Sequence, residues 1–267
     1  DYYNASVYQA DFNEDTVKDI NQWVYNNTDE MIDEIIKELP PEALMVLLNA
    51  ISFDAEWQSI YNKDDVRDIE FTSHTGDKQV VEGMYGSENE YLEDENATGF
   101  IKYYSGREYA FVALLPNEGV ALTDYVNSLD GLSLNSMLSN SISTTVKTAI
   151  PKFKTEYETE MSKILKDMGM PLAFDEELAD FSSLGSYNDG LFDYNIYISK
   201  VLHKTFIEVA ERGTKAGAVT VVEMSKDAAA PPEKPKQVYL DRPFVYMIID
   251  TQNNIPLFIG TMTDIKA

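Results

Sequence analysis

The 267-residue chain carries 46 acidic and 21 basic side chains, and its net charge of −25 argues against nucleic acid and membrane surfaces as partners. Its 44% hydrophobic content is ample for a continuous core, and the absence of cysteine rules out disulfides, thiolate metal sites and a cysteine nucleophile. No run approaches the roughly 18 apolar residues of a membrane span, and Asp1-Tyr2-Tyr3-Asn4 has neither the basic end nor the apolar stretch of a signal peptide, so it reads as a processed or truncated end.

Within residues 16–39, Val17, Ile20, Trp23, Val24, Met31, Ile32, Ile35 and Ile36 recur at near-helical spacing among acids and amides. This predicts one or two amphipathic helices ended by Pro40-Pro41. Residues 44–53 form a nearly unbroken apolar run holding one amide, Asn49, and predict a central strand buried on both faces. Residues 68–84 alternate around a turn at 73–77, and residues 99–115 around Ser105-Gly106, so each predicts a hairpin. Residues 144–153 predict another strand, followed by a helix over 158–168 that Gly169 closes. Residues 196–209 alternate as a long strand, and 243–249 with 256–262 predict a last hairpin turning on Gln252-Asn253-Asn254. Helices and strands do not repeat as βαβ units, so the class is α+β with large, mostly antiparallel sheets.

One compositional break interrupts this order. Residues 227–236 (DAAAPPEKPK) hold three prolines and no aromatic or β-branched side chain, so they cannot pack a core and belong on the surface. A linker would join two domains, yet only about 30 residues follow, too few for one. The run before the break reads differently. Even positions are Thr214, Ala216, Ala218, Thr220, Val222 and Met224, all small or apolar; odd positions are Lys215, Gly217, Val219, Val221, Glu223 and Ser225, with both charges among them. Side chains alternate faces in a strand, so the run has one buried and one exposed face. Gly213, in Glu211-Arg212-Gly213, supplies a flexible hinge before it. The pattern by itself fits either an ordinary hairpin strand ending in a long loop or a strand competent to enter a sheet that it has not joined.

Several motifs in fixed order decide between these. Residues 201–209 (VLHKTFIEV) followed by Glu211-Arg212-Gly213-Thr214, residues 243–249 (PFVYMII) with 256–260 (PLFIG), residues 20–24 (INQWV), residues 48–53 (LNAISF) with Trp57, and residues 151–154 (PKFK) together resemble the serpin family over essentially all 267 residues. The resemblance implies a single serpin-like domain over 1–267 with an exposed reactive loop at about 211–237, and a motif order from which roughly the first third of the fold is missing. It implies a protein that inhibits serine proteases as a suicide substrate: the protease cuts the loop, forms an acyl-enzyme, and is trapped when the hinge inserts into the main sheet. Chemistry then belongs to the protease, so no enzyme activity and no cofactor or metal are expected. The implied hinge residues are Glu211, Gly213, Thr214, Ala216, Gly217, Ala218 and Thr220. Lys215 departs from the acidic residue usual there, and by parity it faces outward. Candidate scissile positions are Lys226, Asp227, Ala228, Ala229 and Ala230, in a window reaching Pro232. The alanines suit an elastase-like or subtilisin-like protease and Lys226 a trypsin-like one. His203 and Asn49 correspond to a buried polar pair controlling sheet opening, and Trp57 to an aromatic near the loop's entry point. A monomer in an extracellular or cell-surface setting is implied as well.

Two other readings are weighed by the residues. A Ser-His-Asp hydrolase needs a positioned histidine, and His74 lies in a polar turn while His203 lies in an apolar strand, with no G-x-S-x-G present. Glu93-Asp94-Glu95-Asn96 resembles part of a calcium loop, but Ser105 occupies the position that requires a bidentate glutamate. A serpin-fold binding protein without inhibitory action is the nearer alternative; bulky or charged inward hinge residues would mark it, and the even positions have none.

Overall fold

The computed structural model describes residues 5–40, 42–188, 190–214 and 235–265. In chain order they form α1 (Glu14–Asn27), β1 (Val46–Ser52), β2 (Ala55–Glu56), β3 (Val66–Thr72), β4 (Lys78–Glu93), β5 (Ala97–Tyr103), β6 (Tyr109–Pro116), α2 (Leu122–Ser128) and α3 (Gly131–Ser139). There follow β7 (Ile142–Pro151), β8 (Phe153–Glu160), α4 (Ser162–Asp167), β9 (Tyr187–Asn188), β10 (Asp193–Tyr194), β11 (Lys200–Ala210), β12 (Gly213–Thr214), β13 (Lys236–Tyr239), β14 (Phe244–Asp250) and β15 (Ile255–Met262). The chain divides into two compact units, residues 1–53 with 155–207, and residues 54–154 with 208–267.

In the first unit, α1 starts at Asn13, whose side chain accepts from the Asp15 and Thr16 amides at 3.0 Å each. The apolar pattern of residues 16–39 predicts one or two helices reaching Pro40, but among the described residues there is one, and it stops at Asn27. Asp29 and Glu30 both adopt left-handed backbone, at φ 49° and 62°, which no helix of L-residues continues through. The chain beyond is held by side chains instead. Asn21 accepts from the Ile35 and Ile36 amides and donates to the Ile36 carbonyl, while Thr28 Oγ1 accepts from the Ile32 amide. Met31, Ile32, Ile35 and Ile36 are still buried, packed with Val24, Leu202 and Phe206, so the periodicity marks the core correctly and the backbone wrongly.

β1 runs parallel to β11 in direct register from Val46↔Lys200 to Ser52↔Phe206. Burial on both faces of β1 is not found: Leu47 is 40% exposed and Asn49 is exposed too, because that face is open among the described residues. β8 pairs with β11. The helix predicted over 158–168 shrinks to α4, since β8 continues through Glu160, whose carboxylate then caps the Ser162 amide. Gly169 closes it with φ 105°, as expected.

The second unit is built on an eight-stranded sheet in the order β13-β7-β4-β5-β6-β14-β15, with β3 paired to β4. All three predicted hairpins, β3/β4, β5/β6 and β14/β15, are present and antiparallel. Leu92, Ile101, Val112, Leu114, Val245, Met247 and Ile249 form the core of its one face with Tyr125, Leu134 and Leu138 from α2 and α3. Alternation in β5, β6 and β14 supplies that face, as the period of a strand requires.

Candidate functional site

The residues preceding the proline-rich break end in a short, tightly held hinge. β12 pairs antiparallel with the end of β11 (Val209↔Thr214, Ala210↔Gly213) and on its other side with β2 (Gly213↔Glu56, Thr214↔Ala55). Gly213 lies at φ 153°, and a Cβ there would stand 2.1 Å from the Ala55 carbonyl oxygen, so the site admits glycine alone. Thr214 has no exposed surface, and its hydroxyl lies 2.7 Å from that of Tyr104. This is the burial that parity assigns to position 214.

Trp57, 2% exposed, stacks on Tyr104 with ring centroids 4.3 Å apart. Its indole N–H donates to the Ala210 carbonyl at 2.8 Å and its amide to the Arg212 carbonyl at 2.8 Å, while the Tyr61 amide donates to the Glu211 carbonyl at 2.9 Å. Three successive carbonyls, those of Ala210, Glu211 and Arg212, are thereby satisfied by one segment.

Charges fix the hinge from outside. Lys152, between β7 and β8, pairs with both Glu211 and Glu82 at 2.9 Å. Burial pushes the Glu211 carboxyl up, but the Lys152 hydrogen bond, a backbone amide and the Lys152 charge outweigh it and leave the group below its ordinary value. Hydrogen bonding to Glu211, opposed by burial and supported by Glu82, raises the Lys152 ammonium above its own. Arg212 pairs with Glu56.

In the first unit, His203 Nδ1 lies 2.8 Å from Asn49 Oδ1, across the β1–β11 register. Facing an amide oxygen, Nδ1 carries the proton and donates. The pair exists, but it is not buried as the resemblance implies: Asn49 is exposed and His203 half-buried, on the open face of β1. Desolvation still lowers the His203 pKa.

Ala216, Gly217, Ala218 and Thr220, and the scissile candidates Lys226, Asp227, Ala228, Ala229 and Ala230, lie outside the described residues. Tyr104 and Lys152 escaped the sequence reading as site residues. Lys152 stands in a motif, yet its partner Glu211 is 59 residues away, and nothing local marks Tyr104 as the partner of Thr214. Asp94, in the calcium-like stretch, spends its carboxylate on the Asn96 and Ala97 amides and the Tyr125 hydroxyl. No cluster of three or more metal-capable side chains occurs among the described residues.

A family model described as Serpin (serine protease inhibitor) matches residues 1–265. An uncharacterized serpin-like protein of Thermococcus kodakarensis is 31% identical over 269 residues, covering 100% of this chain and 61% of that protein. The chain likewise spans 61% of a serpin-like protein of Methanosarcina acetivorans, at 32% identity. Among solved structures, the thermophilic serpin tengpin in its native state superposes with a TM-score of 0.89 at 46% identity, covering 99% of this chain and 67% of its own. In its latent state the values are 0.79 and 38%, over 100% and 69%. Thyroxine-binding globulin with thyroxine shares the fold, with a TM-score of 0.82 at 24% identity over 99% and 69%.

Proposed function

Because the chain belongs to the serpin family, we propose that it inhibits a serine protease as a suicide substrate. The protease serine attacks a loop carbonyl, the peptide bond breaks, and the amine of the downstream segment leaves with a proton; the resulting acyl ester waits for water. Insertion of the freed hinge into the sheet of β1 and β11 then removes the protease from its productive geometry before the ester hydrolyses. The race between insertion and hydrolysis decides whether the protein is an inhibitor or a substrate.

The observation that carries this reading is the condition of the hinge and the receiving strands. Thr214 is wholly buried beside β11, while β1 and β11 are each other's direct partners through seven register pairs. Small and apolar residues at the even positions after Thr214 support it, since each must be buried without an unpaired charge on insertion. We extend the reading to an elastase-like or subtilisin-like target, from Ala228, Ala229 and Ala230, and to an extracellular or cell-surface setting where such enzymes act on it.

The test is incubation of the full-length protein with elastase-like, subtilisin-like and trypsin-like proteases. An SDS-stable covalent complex is expected, with a released fragment whose new N-terminus falls between Asp227 and Glu233. Cleavage in the loop without any complex, across all three classes, would overturn inhibition in favour of a serpin-fold binding protein.

A further inference from the structure

Lys102 lies on β5 with a side chain only 3% exposed, outside every motif that defines the hinge. A buried ammonium is strongly disfavoured unless it is both paired and hydrogen-bonded. Its partners are Glu88 Oε1 at 2.8 Å, the Ser59 carbonyl at 3.1 Å, and the rings of Tyr61 and Trp57, whose centroids lie 4.4 and 5.3 Å away. Apart from Glu88, all of these belong to residues 57–61.

That same short segment offers the Trp57 and Tyr61 amides to the hinge carbonyls of Arg212 and Glu211. It has little structure of its own. Trp57 forms an isolated bridge to Tyr104 and the Gln58 amide reaches the Tyr103 carbonyl, but residues 58–61 join no helix or strand. The Tyr61 ring packs against Gly86, and its buried hydroxyl lies near Thr148. The Lys102 ammonium reaches both the middle of the segment, at Ser59, and its far end, at Tyr61.

We propose that Lys102 is a positioning residue for the hinge: neutralised by Glu88, its ammonium pins residues 57–61 through the Ser59 carbonyl and two rings, and so holds the Trp57 and Tyr61 amides at the hinge carbonyls. Its consequence for trapping rests on the inhibitor reading, since a hinge whose register drifts inserts later and leaves more acyl-enzyme to hydrolyse.

The experiment is site-resolved amide hydrogen exchange on full-length protein, native and Lys102→Met/Glu88→Gln, with the ratio of cut to trapped product measured alongside. Exchange at Trp57 and Tyr61 is expected to rise about tenfold or more while β14 amides stay protected, and the ratio to shift toward cut product. Glu88→Gln alone leaves the buried ammonium without its counter-charge and is expected to raise exchange throughout the sheet, β14 included, which sets the scale of a general destabilisation. Should the double variant not fold, Lys102→Met/Glu88→Leu removes both charges with apolar replacements, which buried pairs often tolerate. Unchanged exchange at Trp57 and Tyr61, or a rise shared with β14, overturns the positioning role even if trapping is normal. If the native protein itself traps none of the proteases, loss of protection in the variant still supports the positioning role while the inhibitor reading is overturned.

Discussion

The hydroxyls of Thr214 and Tyr104 are 2.7 Å apart, and Thr214, the first inward position of the hinge, has no exposed surface. Burial pushes the Tyr104 phenol far above its usual range, so it stays neutral at any working pH and the contact is a hydrogen bond between uncharged groups. The hinge is therefore anchored at Thr214, the last described residue before the proline-rich stretch.

Thr214→Arg puts a guanidinium where a hydroxyl is fully enclosed. Burying an unpaired charge costs on the order of several kcal/mol. The variant should still be cut in the loop but should trap protease at least about tenfold less, a factor that as little as 1.4 kcal/mol supplies. SDS gels of timed reactions read this directly, and a complex yield equal to that of the native protein would refute it.

Gly213→Ala brings a Cβ within 2.1 Å of the Ala55 carbonyl oxygen and 2.8 Å of Glu56 Cα, both backbone atoms that cannot swing aside. We expect β12 to separate from β2 and stability to fall by about 1–3 kcal/mol. Denaturant unfolding should show a lower midpoint with an unchanged slope. A midpoint within error of the native protein would mean that the hinge is not held against β2.

Glu211 is depressed below its ordinary value of 4.5 in the folded state, so its contribution is complete above that value and disappears as pH falls through the lower, folded one. Lys152 is raised above 10.5, so its contribution is complete below that value and is lost as pH climbs past it. Glu211→Gln should lower Tm near neutrality, where the contribution is complete, and converge on the native protein in acid, so that the acid limb of a plot of Tm against pH is flatter below about 4.5. An acid limb of native steepness would show that the Lys152 contact does not act on stability.

His203 is lowered below its ordinary 6.5 by desolvation, with the sign of a group that is favoured neutral. Stability from this site is full above 6.5 and declines as pH drops below it, through the folded value. His203→Gln can still reach Asn49 but does not titrate. Its Tm should be flatter than that of the native protein from neutrality down to the carboxylate range, and an identical slope in the two proteins would remove His203 as a source of pH dependence.

Much of this architecture was legible in local pattern. The three hairpins follow from period-2 alternation around Ser73–Asp77, Ser105-Gly106 and residues 251–254, where turn residues interrupt it. The failures share a cause. Met31, Ile32, Ile35 and Ile36 have the spacing of a helix, but Asn21, 14 and 15 residues away, accepts from the Ile35 and Ile36 amides and Thr28 accepts from those of Met31 and Ile32, so these donors are satisfied without one. Asn49 looked buried because its neighbours are apolar, and exposure depends on what covers a face rather than on the strand itself.

By itself the sequence determined the family, through several motifs in fixed order and spacing. Only the tertiary structure decided what the hinge rests against. The pairing of Lys152 with Glu211, the stack of Trp57 on Tyr104 and the buried Lys102 between Glu88 and Ser59 join residues far apart in the chain. Such pairings have no local signature, because the energy that makes them comes from desolvation and geometry that arise only after the strands are assembled.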